Sequence, residues 1–229
     1  MSDAPHGTAA DEPRGAPRRR AWALAGVALL LVAGAAFGAG RFSMFGAVTA
    51  SQPNAADIGF ARDMQVHHAQ AVEMAMIEYR ATADETLLAT AFDIATAQSA
   101  QSGEMYGWLV SWGVPQAADE PLMSWMSGDS GHAHGATQGE PATDDELRAA
   151  MGMASDAELA ELRSAAGTEK DCLFTELMVR HHTGALEMID AVQRLGSDPR
   201  VAQAARGMAE SQQREVEALQ SISARLGCG

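Results

Sequence analysis

The feature that most restricts this chain is an internal repeat. Asp57, Phe60, Met64, His67, His68 and Met74 are echoed by Asp171, Phe174, Met178, His181, His182 and Met188, and 171 − 57, 178 − 64, 181 − 67 and 188 − 74 all give 114. A register kept this well means that one supersecondary unit occurs twice, so the fold must be assembled from two like halves. A second echo pairs Gln101 and Glu104 with Gln212 and Glu215 at an offset of 212 − 101 = 111, which predicts a turn three residues longer in the first copy.

The unit itself is helical. With about 100° of rotation per residue, Phe60, Met64, His67, Ala71 and Met74 fall on one stripe flanked by His68, and Phe174, Met178, His181, Ala185 and Met188 repeat it. Aromatic residues are only 5% of the chain and alanine is abundant, which favours helices over sheet. The expected long helices run from about Asn54 to Arg80, Asp84 to Trp112, Thr168 to Leu195 and Pro199 to Leu226. Thr82 with Glu85 and Thr168 with Asp171 have capping-box spacing, Gly113 and Gly196 are stops, and Pro199 suits a first turn. Two shorter helices, near Asp144 to Met151 and Asp156 to Ala166, are predicted from the boxes Thr143/Glu146 and Ser155/Glu158. The chain thus reads as all-α: a four-helix bundle of two repeated hairpins, 46–113 and 168–229, joined by a linker, 114–167, that carries short helices.

Ahead of the bundle, residues 1–20 are rich in Pro, Gly and Ala and read as a disordered tail ending in Arg18, Arg19 and Arg20. Residues 21–40 hold no charge, so 21–45 reads as one transmembrane or signal-anchor helix. The arginines before it place the tail in the cytoplasm and the bundle outside. Cleavage after the small residues Val48 to Ala50 would instead release the bundle as a secreted protein. Beyond Phe45 the chain carries 11 − 27 = −16 charges, which argues against nucleic acid as a partner and leaves the membrane and a metal ion.

Four histidines on stripes that must face the interior need partners there. Imidazole is the commonest metal ligand and thioether sulfur selects soft ions, so His67, His68, His181 and His182 with Met64 and Met178 describe a copper-like site. Neighbouring histidines diverge by about 100°, so one of each pair orients rather than binds. Gln101, Glu104, Gln212 and Glu215 are expected about a turn away as hydrogen-bonding supports for the rings. Met123, Met126, His132 and His134 in the linker are accessory ligand candidates, whereas Glu73 and Glu187 read as a solvated face. Cys172 and Cys228 fall at the start of one helix and the end of the next, where a disulfide, free thiols or metal binding are all open.

At these residues the chain resembles the bacterial domain-of-unknown-function family numbered 305, whose members carry Asp-x-x-Phe-x-x-x-Met-x-x-His-His twice. Met151, Met153, Ser155, Glu158 and Leu159 resemble the family's middle region, and the likeness covers about Asp57 to Leu226. It implies a ferritin-like four-helix bundle, export and, for some members, copper binding or tolerance. The expectation is therefore a non-enzymatic copper binder for sequestration or delivery. Two alternatives stand beside it. A di-iron or di-manganese oxidase inhabits similar bundles, but its Glu-x-x-His motif is missing, since Met64 and Met178 stand three before His67 and His181. An interaction module could use the histidines only as a polar network.

Overall fold

The computed structural model describes Val32 and residues 52–117, 119–128 and 142–228. Met1–Ala50 and Ser51–Gly229 are separate units. Of the first, only Val32 is described, and it is helical. The predicted tail at 1–20 and the apolar span at 21–45 otherwise lie outside the described residues, as do His132 and His134. Among the described residues no helix is long and apolar enough to cross a membrane.

The second unit is helical, and no strand occurs among the described residues. Its elements are α1 (Ala55–Tyr79), α2 (Glu85–Trp112), a 3-10 turn (Ser124–Gly128), α3 (Asp144–Ala150), α4 (Asp156–Ser164), α5 (Gly167–Leu195) and α6 (Pro199–Leu226). α1 pairs with α2 and α5 with α6 as hairpins, and α1 meets α5 across them. The two hairpins keep one register throughout: 199 − 85 and 226 − 112 are both 114. The expected offset of 111 for the second helices is therefore off by three residues, close to one helical turn. Asp84 and Asp198 both cap their helices, and Gly113 and Gly227 both close them in the left-handed conformation, again 114 apart.

Two expected caps also change. Asp84, not Thr82, caps α2 by accepting Leu87 N–H, while Thr82 Oγ1 accepts Asp84 N–H. α5 begins at Gly167 with no side-chain cap, so Thr168 lies inside its first turn. The boxes at Thr143/Glu146 and Ser155/Glu158 are complete, and Asn54 with Asp57 forms another at the head of α1. Asp57 does more than cap: its carboxylate accepts Ser197 N–H, Ser197 O–H and Asp198 N–H, tying α1 to the α5–α6 turn. Cys172 and Cys228 form a disulfide with Cα atoms 5.4 Å apart, closing the second hairpin at its open end.

The interior divides into two apolar cores. One gathers Phe60, Met64, Met105, Trp108, Met188 and Met208, and the other Met74, Leu87, Phe174, Leu177, Met178 and Leu219. Along α1 the change of core falls between Met64 and Ala71, and along α5 between Met178 and Ala185. The residues at both changes of core are the histidine pairs.

Candidate metal centre

All four imidazoles are fully buried, each at 0% exposure. His67 and His181 meet across the α1–α5 contact with ring centroids 3.6 Å apart and planes inclined by 32°. His68 and His182 turn back into their own hairpins, with centroids 6.3 Å and 6.1 Å from their sequence neighbours. Their 100° divergence along the helix therefore gives an inner pair in contact and an outer pair held by α2 and α6.

Every Nε2 is engaged by an oxygen. His67 Nε2–H donates to Met151 O at 3.1 Å, and His181 Nε2–H donates to His67 O at 3.1 Å. His68 Nε2–H donates to Gln101 Oε1 at 2.8 Å, and His182 Nε2–H to Glu215 Oε2 at 2.6 Å. A carbonyl or carboxylate only accepts, so the proton of each neutral ring sits on Nε2 and the lone pair on Nδ1. None of the four Nδ1 atoms has a hydrogen-bond partner.

Burial keeps His67, His68 and His181 neutral. Desolvation pushes His67 down to about 3, with the neighbouring His68 adding to the effect, and pushes His68 down to about 4. His181 is lowered well below the ordinary value by burial and then by His67. Two stacked imidazoliums at 3.6 Å would repel strongly in so dry a setting. These three rings thus present unprotonated nitrogen donors at neutral pH.

The rings are fixed by a strap that breaks the repeat's symmetry. Residues 151–154, after α3, cross the motif helices, and Met151 O takes the His67 proton. A Cβ on Gly184 would strike Met151 O, so only glycine lets the strap lie this close to α5. Gly152 is left-handed at φ 74°, and a Cβ there would meet Arg180 O. On α1 the equivalent of Gly184 is Gln70, as 184 − 70 = 114, and its amide bonds Ala154 in both directions at 2.8 and 2.7 Å. The strap brings Met151 and Met153, both buried, into the same core as Met64, Met105, Met188 and Met208.

The expected supports divide. Gln101 and Glu215 touch the outer rings, and they are equivalent, since 215 − 101 = 114. Glu104 is exposed rather than beside His68, because the true register turns it outward by one helical step. Gln212 is buried, but neither of its amide atoms has a partner. Its equivalent Gln98 is the same, and sequence alone missed it for want of the right offset. Four bare imidazole nitrogens and two bare amides thus lie in the bundle interior, each costly to bury without a ligand or water.

Met64 belongs to one core and Met178 to the other, on opposite sides of the histidine layer. Met123 is buried and Met126 half-buried near the 3-10 turn, where Asp63 Oδ2 accepts Met123 N–H and Trp125 Nε1–H. Those bonds hold Met123 at φ 62°, in the left-handed region. Among the described residues no three or more His, Cys, Asp or Glu side chains stand together as a metal cluster.

Comparison with solved structures agrees with this architecture. A crystal structure of a DUF305 protein from Streptomyces coelicolor is 35% identical, with a TM-score of 0.65 over 75% of this chain and 94% of that one. A DUF305 fragment from Deinococcus radiodurans is 27% identical, with a TM-score of 0.60 over 75% of this chain and 97% of that one. CopM in its Cu(I)-bound form is 21% identical, with a TM-score of 0.53 over 74% and 96% of the two chains, and shares the fold. A search of curated proteins gives no match. The model of the domain of unknown function DUF305 matches residues 57–223, and the chain belongs to that family.

Proposed function

We propose that this protein is a non-enzymatic copper binder working outside the cytoplasm, held to the membrane by the apolar span at 21–45 or released by cleavage behind it, and built as a ferritin-like four-helix bundle. The observation that carries the reading is the set of four buried imidazoles whose Nδ1 atoms have no partner. Nitrogen donors bordered by a methionine-rich core suit a soft ion, because imidazole and thioether together favour copper over hard, oxygen-seeking cations. Gln101 and Glu215 fix which nitrogen of the outer rings carries the proton, and Met151 O does so for His67. Copper and silver forms of CopM lend support at the level of shared fold.

Copper here is cargo. His68 and His182 reach towards Gln101, which is half-buried, and Glu215, whose side chain is 21% exposed, so the outer rings lie nearest to water. An ion entering beside the Glu215 carboxylate would meet His182 first and the stacked inner rings afterwards. The test is a titration of the full chain with Cu(I) and Cu(II) against a competing chelator, with a thermal melt in each state. A folded-state ligand raises the melting temperature, and a variant with all four histidines changed to glutamine loses both binding and shift. Unchanged binding in that variant would refute the site. Undiminished stability with no binding in the native chain would favour the histidines as a structural polar network, a reading supported by their four satisfied Nε2 atoms.

A further inference from the structure

The register of 114 makes α6 an internal control for α2, and the outer faces of the two helices do not match. On α2, Leu88, Phe92, Tyr106 and Val110 are exposed, at 37%, 49%, 54% and 58%. Their equivalents on α6 are Ala202, Arg206, Gln220 and Ala224, an ordinary solvated face. Thr96, Ser99 and Gly103 complete the α2 stripe between the large residues, at helical spacings of three and four. Among the described residues, and leaving aside the helix's own backbone, nothing lies within 4 Å of where a Cβ would stand on Gly103 or Gly107. Glycine inside an exposed helix costs stability relative to alanine, and no close approach among the described residues compensates for it.

The stripe is also self-complementary. About Ser99, 88 + 110 and 92 + 106 both equal 2 × 99, so a second α2 laid antiparallel sets Leu88 against Val110 and Phe92 against Tyr106. The small residues Thr96, Ser99 and Gly103 then fall at the crossing, where helix backbones come closest. α2 carries no basic residue, and about Ser99 its acids Glu85, Asp93 and Glu104 do not map onto one another, so no acid pairs with its symmetry mate. Isologous twofold contacts require a patch that fits itself in this way.

We propose that the outer face of α2 is a homodimer interface, in which a second copy of this chain packs antiparallel about a twofold axis at Ser99. From Leu88 to Val110 the stripe rises about 33 Å and is about 10 Å wide, so the contact buries roughly 700 Å² in total. Standard interfaces bury about 1,200–2,000 Å², so this dimer is weak and exchanges with monomer. It is independent of the metal reading.

Cross-linking of the full chain in mild detergent tests it. Cys172 and Cys228 are bonded to each other, so an introduced cysteine is the free thiol. Ser99→Cys should form an intermolecular disulfide under mild oxidation, while Gln213→Cys, its equivalent on α6, should not. Adding Phe92→Arg and Tyr106→Gln, which transplant the α6 face, should cut the Ser99→Cys yield about tenfold or more. Circular dichroism and a melt check that this variant folds, and Leu88→Ala with Val110→Ala serves where it does not. No cross-link at Ser99, equal cross-linking at Gln213, or a yield indifferent to both face variants overturns the proposal. So does a polarity-sensitive label on Ser99→Cys that responds to phosphatidylglycerol vesicles while no cross-link forms, since lipid would then be the occupant.

Discussion

The two hairpins share a register and differ in what surrounds it. His67 and His181, His68 and His182, Gln98 and Gln212, and the caps Asp84 and Asp198 are equivalent in place and largely in role. Around them Gln70 takes the place of Gly184, Gln101 that of Glu215, Glu78 that of Val192, and Ile58 with Val114 that of the Cys172–Cys228 disulfide. The lesson is a division of labour: the polar layer is kept in duplicate, while each hairpin is stabilised by its own means.

The largest expected effect tests the duplicated part. His67, His68 and His181 are neutral when folded, yet an unfolded histidine takes up a proton below about 6.5. As pH falls from 6.5 towards about 3 the unfolded state binds the extra protons, so stability is lost through that window, by an amount on the order of several kcal/mol. Denaturant melts from pH 7 to 4 should show the loss, and His67→Gln and His181→Gln should flatten it by similar amounts. Unequal flattening would break the equivalence of the two copies.

The disulfide comes next. It closes a 56-residue separation and, on the chain-entropy model, contributes about 4 kcal/mol. Changing both Cys172 and Cys228 to serine should lower stability by that order. Placing cysteines at Ile58 and Val114 should create the matching bridge in the first hairpin and raise the melting temperature of the oxidised over the reduced form. Failure to bridge would show that the open ends of the hairpins differ in geometry as well as in chemistry.

The strap should respond more strongly on its α5 side than on its α1 side. Gly184→Ala, favourable in an ordinary helix, should here cost about 3 kcal/mol by driving a Cβ into Met151 O. Gln70→Ala should cost only about 1 kcal/mol, because its bonds to Ala154 are part-buried. Equal costs in urea melts would mean that the strap is clamped alike by both helices.

A second pH-dependent effect lies at Glu78. Burial, followed by the adjacent Asp171 carboxyl, pushes Glu78 up to about 8 from an ordinary 4.5. The folded chain therefore keeps a proton that the unfolded chain has released, and stability falls as pH rises from 4.5 to about 8. Glu78→Gln should match the native chain near pH 4 and exceed it by about 2 kcal/mol above pH 8. A constant difference across that range would contradict a proton retained on Glu78 in the folded chain.

Much of this was legible in the sequence, because periodicity and spacing report on backbone geometry. The long helices, the boxes at Thr143 and Ser155 and the inward histidine stripes follow from local chemistry. The register of α2 against α6 reads three residues out from sequence because Gln101/Glu104 and Gln212/Glu215 look alike one turn out of step, whereas Asp84/Asp198 and Gly113/Gly227 carry the true offset. Gln98 is hidden by the same ambiguity. Met151 could not be foreseen as a histidine partner, since its contribution is a backbone carbonyl, which leaves no trace in residue identity; Gly184 was the trace of its approach.

The most direct test of the central claim is nitrogen-15 NMR of the histidine rings in the full chain, without metal and with Ag(I) as a diamagnetic stand-in for Cu(I). Four rings protonated at Nε2 are expected, with the bare Nδ1 resonances shifting on metal addition while the Nε2 protons remain. Rings protonated at Nδ1, or Nδ1 resonances that ignore saturating silver, would contradict it.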